Sequence, residues 1–231
     1  RFIAAEEKTP QRSVFEKYAD VFRRLGFKDF RVDFRSLFPG GAAARDFIPG
    51  FDVSLRPEPL WVAVAPFATY VGKIYPLDLM EQVVAHLASR GDVRVFLFGA
   101  GKDERETLEA WAARHPQHVE SVAGRLNGLA EEAALISYCR VMLAMDSANM
   151  HLASLVHVPV VSIWGATHPY GGFLGYGQRM EDAIQRTDLT CRPCSVYGNR
   201  PCHQGDYPCL NGISPKWVLE RVEEKLKQPA K

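Results

Sequence analysis

The sequence lacks any long apolar run and any strong excess of charge. No stretch approaches the roughly 20 consecutive apolar residues that a membrane-spanning helix needs, and no amino-terminal signal-peptide pattern is present. The 231 residues carry 28 Lys and Arg against 27 Asp and Glu, a formal net charge of +1. This near-zero net charge produces no strong electrostatic field that would attract nucleic acid or an anionic membrane surface. These absences predict a cytoplasmic protein that does not bind nucleic acid.

Cysteine is scarce, and four of the five cysteines lie in one segment, residues 191–209. Two, seven and six residues separate them in turn, and the segment is rich in proline and glycine. Four thiolates at this spacing favour a structural zinc site, with the sulfur atoms about 2.3 Å from the metal. Two disulfides and four free thiols are the alternatives, and a reducing cytosol disfavours the disulfides. The four residues are Cys191, Cys194, Cys202 and Cys209. We expect the remaining cysteine, Cys139, to be a buried residue of a helix.

Apolar strands alternate with helices from Trp61 onward. The strands are apolar almost throughout, which is typical of strands buried on both faces of a parallel sheet. The pattern therefore predicts an α/β fold, a Rossmann-like parallel sheet with helices on both faces. The predicted strands are 61–65, 93–98, 119–122, 141–145 and 160–164, and the predicted helices are 77–89, 104–114, 129–138, a short helix around Asn149, and 215–227.

The first 60 residues have a different character. An amphipathic helix is predicted over residues 13–25, because Ser13 and Glu16 form a capping-box pattern and Gly26 follows the last apolar position. Residues 38–60 are rich in Pro, Gly and Ala, which indicates an irregular linker with little core of its own. The predicted division is therefore a helix with a linker over 1–60 and a nucleotide-binding domain over 61–231.

In parallel sheets of this class, ligands bind beyond the carboxyl ends of the strands. The loops that follow Ala65, Phe98, Met145 and Trp164 should therefore line one cleft. Asp146 follows a predicted strand and opens the short helix, whose first N–H groups can bind an anion. The alternative is that Asp146 and its neighbour only cap this helix.

Residues 146–169 also resemble a known family. The order Asp-Ser, then His, a small-residue helix, Pro-Val-Val and Gly-x-Thr-x-Pro is similar to the carboxyl-terminal half of glycosyltransferase family 9, the bacterial heptosyltransferases of lipopolysaccharide core assembly. The matching residues are Asp146, Ser147, His151, Pro159, Gly165, Thr167 and Pro169. Ala148 stands where the family usually has glycine, and its methyl group lies where a phosphate would approach the backbone. The resemblance covers roughly residues 60–227 and implies the nucleotide-sugar-binding half of a GT-B glycosyltransferase.

The resemblance also implies a set of donor-binding residues in the four loops. Each has a structural alternative: Lys73 as a solvated surface lysine, Glu104 as an acid that suits a helix dipole, and Asn127 as a helix cap. The residues so assigned are Ala68, Thr69, Lys73, Glu104, Asn127, Asp146, Ser147, Ala148, Asn149, His151, Thr167 and His168.

The implied reaction is inverting transfer of a heptose from an ADP-heptose-like donor to a lipopolysaccharide core acceptor, with no cofactor for catalysis. The family places its catalytic base, an Asp, in an amino-terminal domain, so no catalytic residue is assigned in this chain. Because the chain begins at Arg1, we expect that domain to precede it and to supply any peripheral association with the inner membrane. The alternatives are a sugar-nucleotide epimerase, which needs no acceptor, and a stand-alone nucleotide-binding or zinc-stabilised module.

Overall fold

The computed structural model describes residues 9–44, 48, 50–51 and 60–228. Its strands are β1 (Leu60–Ala65), β2 (Val93–Leu97), β3 (Val119–Ser121), β4 (Val141–Met145), β5 (Val160–Trp164) and β6 (Ala183–Gln185). Its α-helices are α1 (Val14–Arg24), α2 (Leu77–Ser89), α3 (Lys102–Arg114), α4 (Leu129–Ile136), α5 (Ala148–Leu155), α6 (Pro208–Asn211) and α7 (Pro215–Leu226).

The six strands form one sheet in the order β3-β2-β1-β4-β5-β6, and every neighbouring pair is parallel. This is the Rossmann strand order, which reverses direction between β1 and β4. The loops that leave these two strands diverge and open a crevice at the carboxyl edge of the sheet. The predicted α/β fold with a parallel sheet is confirmed.

Two apolar cores cover the two faces of the sheet. Along β1, Val62 and Val64 enter one core, whereas Trp61 and Ala63 enter the other. Helices α2 and α7 cover the first face, and α4 and α5 cover the second. Burial on both faces explains why β1, β4 and β5 are apolar almost throughout. This framework fixes the positions of the strand ends.

Two short elements differ from the prediction. Strand β6 and helix α6 have only three and four residues, too few for a periodic signal to appear in the sequence. Cys139 is buried, as expected, but it lies in the turn after α4 rather than on a helix. Both edge strands, β3 and β6, are three residues long.

The amino-terminal segment packs differently from the prediction. Ala43 and Ile48 are buried in the second core, so the linker does contribute apolar contacts. Residues 45–47, 49 and 52–59 of the predicted linker lie outside the described part of the chain. In α1, Ser13 caps the helix through the Glu16 N–H, as expected, but the apolar side chains Tyr18 and Leu25 are 69% and 70% exposed.

A buried ion pair ties α7 to the edge of the sheet. Lys225 Nζ lies 2.6 Å from an Asp182 carboxylate oxygen, and both side chains are almost completely buried. Asp182 directly precedes β6. Within the described residues, no helix is both long and apolar enough to cross a membrane.

Candidate functional site

A cleft of about 500 Å³ opens at the carboxyl ends of the central strands. The loops after β1, β2, β4 and β5 all contribute to its walls, and so does the start of α5. Nine of the predicted donor-binding residues line it. They are Ala68, Thr69, Lys73, Glu104, Asp146, Ser147, Ala148, Asn149 and His151.

A charged cluster lies on one wall of the cleft. Lys73 Nζ is 3.0 Å from Asp146 Oδ2, and the two side chains are only 16% and 9% exposed. Thr167 donates its hydroxyl to the same carboxylate oxygen over 2.8 Å. One carboxylate therefore joins the loops after β1, β4 and β5, and it fixes the position of the lysine. A lysine held in this way differs from the freely solvated surface lysine that was the alternative.

Neither Asp146 nor Ser147 caps α5 through its side chain. Ser147 occupies the N-cap position without a side-chain capping bond, and the Asp146 carboxylate accepts from Thr167 and pairs with Lys73. Among the described residues, none hydrogen-bonds the buried Ser147 hydroxyl. The capping alternative for these two side chains is therefore wrong. The first residues of the helix, Ala148 and Asn149, line the cleft, and neither side chain supplies a capping oxygen to the first N–H groups.

His151 lies on α5 at the edge of this cluster. Burial lowers the pKa of its imidazole; nearby Asp146 opposes the shift, and Lys73 adds to it. The Phe15 ring of α1 packs against the His151 imidazole in an edge-to-face arrangement, with 6.3 Å between the ring centroids. The imidazole is therefore neutral near pH 7 and can both donate and accept a hydrogen bond.

Three predicted donor-binding residues do not line the cleft. Asn127 hydrogen-bonds Glu131 through its backbone N–H and its side-chain amide. Gly128, rather than Asn127, is the N-cap of α4, so the capping alternative for Asn127 is also wrong. Thr167 is buried behind the Asp146 carboxylate. His168 lines a neighbouring cavity of about 400 Å³ and accepts a hydrogen bond from the Tyr170 N–H.

Glu104 has two roles at once. It lies in the first turn of α3, where an acid suits the helix dipole, as the structural alternative predicted, and its carboxylate accepts the Ala100 N–H over 2.7 Å. It also lines the cleft.

Several cleft residues were missed from the sequence. Glu132 of α4 lines the cleft, and burial raises the pKa of its carboxyl. Val196 and Tyr197 of the cysteine-rich segment also line it, together with Phe173. The cysteine segment was predicted to be structural only, yet it forms a wall of the cleft. No local pattern signals this contact, because the segment and the strand ends meet only in the folded chain.

The loops around the cluster approach each other so closely that glycine is needed. Ala166 N–H donates to Gly72 O over 2.8 Å. A Cβ atom on Gly165 would lie 2.6 Å from the same carbonyl oxygen and 2.5 Å from Leu210. Gly165 therefore allows the loop after β5 to lie against the loop after β1, which places Thr167 next to Asp146.

The four clustered cysteines form no disulfide bond in the described chain. Burial raises the pKa of Cys194, and it raises the pKa of Cys209 to about 11. Each lies within electrostatic range of Cys191 and Cys202. Among the described residues, no three histidine, cysteine or acidic side chains are arranged to hold a metal ion.

Arg192 lies between the first two of these cysteines and is 4% exposed. Its guanidinium donates five hydrogen bonds, all to neutral oxygen atoms. The acceptors are the backbone carbonyls of Trp164, Gly165, Thr167 and Arg186 and the side-chain oxygen of Gln185. Burial lowers the pKa of Arg192 to about 10, so the group is still positively charged near pH 7.

Comparison with known proteins identifies relatives over much of the chain. Lipooligosaccharide heptosyltransferase 2 of Haemophilus influenzae is 35% identical over 136 residues, which is 57% of this chain and 37% of that protein. The chain spans about two-fifths of the length of the first curated relatives that it matches.

Solved structures have the same fold. E. coli heptosyltransferase WaaC with ADP matches 96% of this chain and 58% of its own, with 16% identity and a TM-score of 0.61. The dodecameric iron-containing heptosyltransferase TibC, from enterotoxigenic E. coli, was solved in complex with ADP-D-β-D-heptose. It matches 74% of this chain and 46% of its own, with 21% identity and a TM-score of 0.54. At these identities the likeness shows a shared fold.

The family itself follows from the sequence profile. The profile of glycosyltransferase family 9 (heptosyltransferase) matches residues 11–202, which include all six strands and the Asp146–Thr167 cluster. The chain therefore belongs to glycosyltransferase family 9.

Proposed function

We propose that this chain is the donor-binding half of an inverting glycosyltransferase that transfers a heptose from a nucleotide diphosphate sugar to a lipopolysaccharide core acceptor. The observation that carries the proposal is the Lys73–Asp146–Thr167 cluster beside the uncapped start of α5. A fixed ammonium group next to free helix N–H groups suits a diphosphate. The heptosyltransferases among the relatives, and the ADP in the WaaC structure, support ADP-heptose as the donor.

In the proposed reaction the acceptor hydroxyl attacks the anomeric carbon while the bond from that carbon to the diphosphate breaks. Negative charge then develops on the departing diphosphate. Lys73 and the first N–H groups of α5 stabilise this charge, because they are already oriented before the bond breaks. The proton of the acceptor hydroxyl passes to a catalytic base, which the family resemblance places in the amino-terminal domain of these enzymes. No residue of this chain is therefore assigned as the base. The proposal also includes the lipopolysaccharide core as the acceptor and a peripheral association of the enzyme with the inner membrane.

Calorimetric titration with ADP tests the donor site. The wild-type chain should bind ADP, and Lys73→Met should weaken binding by at least tenfold, about 1.4 kcal/mol. Lys216→Met is the matched control, because Lys216 is 86% exposed on α7 and outside the cleft. Absence of ADP binding by the folded wild type, or equal affinity in Lys73→Met, would overturn the proposal.

A second proposal concerns the cysteine segment, where we propose one structural zinc bound by Cys191, Cys194, Cys202 and Cys209. Four thiolates around a divalent metal carry a net charge of −2, and the buried Arg192 cation beside them has only neutral hydrogen-bond partners in the described chain. The positive charge of Arg192 would therefore offset part of the negative charge of the zinc and its four thiolates. Cys209 interacts electrostatically with the other three thiols, but no three of the described side chains are arranged to hold a metal ion, so binding requires the cysteine side chains to move.

Elemental analysis of protein purified without added metal tests the metal proposal. We expect one zinc per chain and no reaction of the four thiols with a thiol reagent under native conditions. Cys202→Ser should lose the metal, whereas Cys139→Ser, outside the segment, should keep it. Iron at the same ratio would support the four-thiolate site with a different metal, as in the iron-containing TibC. Four freely reacting thiols without metal would reject the site.

A further inference from the structure

Arg192 is not in contact with the cleft, yet it holds the loop on which the cleft depends. Its Nη2 atom donates to Trp164 O over 3.1 Å and to Thr167 O over 2.8 Å. Its Nε atom donates to Gly165 O over 2.8 Å. These three carbonyls belong to the end of β5 and to the loop that follows it. The guanidinium therefore fixes the backbone of this loop at three points.

The contacts continue from this loop to the cleft. The Thr167 hydroxyl donates to Asp146 Oδ2, the oxygen that also pairs with Lys73 Nζ. Thr167 and Asp146 are both buried, so little water competes for these bonds. A row of direct contacts thus runs from Arg192 through Thr167 and Asp146 to Lys73.

The cysteine segment makes a second contact with the same loop. Cys194 N–H donates to Ala166 O over 2.8 Å, and Arg192 Nη1 ties the segment to Arg186 O and to the Gln185 side chain. The segment and the loop after β5 therefore form one hydrogen-bonded unit. Displacement of either would move the Thr167 hydroxyl.

We infer that Arg192 is a positioning residue of the donor site, which acts through Thr167 and Asp146 to hold the Lys73 ammonium against the distal phosphate of the nucleotide. This inference rests on the proposed donor-binding function and names how its charged group is oriented. Arginine suits the role because its planar fork offers five N–H donors in fixed directions, and the structure uses five. A lysine keeps the charge but has three donors on one atom, so it cannot reach these separate carbonyls together.

The test compares ADP with AMP, because only ADP has the second phosphate that Lys73 would hold. Arg192→Lys should weaken ADP binding roughly tenfold and change AMP binding less than about twofold. A merely structural role would lower the melting temperature and weaken both nucleotides alike. Arg186→Lys is the control, because Arg186 is a partly exposed arginine of the same region whose side chain pairs with Asp188 and does not bond the loop after β5, and it should leave both affinities unchanged.

A double-mutant cycle tests the route through Thr167. Thr167→Val alone should weaken ADP binding to a similar extent. The Arg192→Lys/Thr167→Val protein should bind ADP no more weakly than the weaker-binding of the two single variants. Thr167→Ser keeps the hydroxyl and should bind ADP like the wild type. If Arg192→Lys does not fold, the contrast between Thr167→Ser and Thr167→Val decides whether this hydroxyl positions Lys73.

Additive losses, equal weakening of ADP and AMP, or an unchanged ADP affinity in Arg192→Lys would overturn the inference. Equal ADP affinity in Thr167→Ser and Thr167→Val would overturn it as well. These results differ from failure of the proposed function, in which the wild-type chain itself would not bind ADP.

Discussion

At the scale of single residues, replacing Ser147 should change ADP affinity without changing the stability of the fold. Its hydroxyl makes no capping bond at the start of α5, so Ser147→Ala should not incur the cost of about 1 kcal/mol that is usual for the loss of a cap. We expect the melting temperature to stay within the error of the wild type, while ADP affinity falls, because Ser147 lies in the cleft wall and no described residue hydrogen-bonds its hydroxyl. Melting curves beside calorimetric titrations measure both effects. A clear loss of stability with unchanged affinity would show that the residue only supports the helix.

Gly198 offers a steric test of Lys73. A Cβ atom on Gly198 would lie 2.6 Å from Lys73 Cγ, and the backbone of Gly198 has a positive φ of 76°. Gly198→Ala should therefore displace the lysine and weaken ADP binding. Gly205→Ala is the matched control, since Gly205 has a φ of 90° but open space around its Cβ position. Both variants should lose about 1–3 kcal/mol of stability from backbone strain, and an equal ADP affinity in the two would contradict the prediction.

His151 should make stability depend on pH. Burial places its pKa in the folded chain below the ordinary value of about 6.5, so the unfolded chain takes up the proton first as pH falls. The free energy of unfolding should therefore decrease as pH falls from about 6.5 toward the folded pKa. Relative to the wild type, His151→Asn should gain stability on going from about pH 7.5 to about pH 5.5. Urea denaturation at the two pH values measures the difference, and a constant difference between the proteins would refute the assignment.

At the scale of helices and strands, the buried Lys225–Asp182 pair links α7 to the start of β6. Lys225→Met leaves a buried carboxylate without its partner, which should cost about 3–5 kcal/mol. The Lys225→Met/Asp182→Leu protein removes both charges and should recover most of that loss. Denaturant unfolding of the wild type and both variants measures the effect. A double variant no more stable than Lys225→Met would contradict the prediction, because the loss would then not come from the unpaired carboxylate.

The sequence predicted the long elements and missed the short ones for a physical reason. Strands β4 and β5 were predicted with their observed bounds, because burial on both faces requires an unbroken apolar run. Strand β6 and helix α6 were missed because three or four residues carry no period. The apolar side chains of α1, such as Tyr18, were predicted to be on one face of the helix, but periodicity does not reveal whether a partner covers that face.

The site was predictable where one strand delivers a residue and not where distant segments meet. Asp146 and Lys73 follow strands β4 and β1, and the rule that strand ends converge placed them together. Tyr197 and Arg192 belong to the cysteine segment. The spacing of its cysteines indicates a metal site but does not predict where the segment packs on the rest of the fold. Their contacts with the cleft and with the loop after β5 depend on tertiary packing.

At the scale of the whole molecule, donor binding should stabilise the fold, because the cleft joins loops from four strands of the single sheet. ADP at about 100 times its Kd should add about 2.7 kcal/mol to the free energy of unfolding. For a domain of this size that corresponds to a rise in Tm of roughly 5–11 °C. Scanning calorimetry over a series of ADP concentrations measures it. A Tm that does not rise with ADP concentration would contradict binding to the folded cleft.

The short edges of the sheet bear on how the protein behaves when it is concentrated. An unpaired edge strand is a template for pairing with another chain, and a long, flat edge leads to aggregation. Strands β3 and β6 each present three residues of backbone, so a neighbouring molecule could extend the sheet over a distance of only about 10 Å. The most apolar strands, β1 and β4, are the most central and are hydrogen-bonded on both sides. The fold thus keeps its most aggregation-prone segments out of reach for as long as the sheet stays intact.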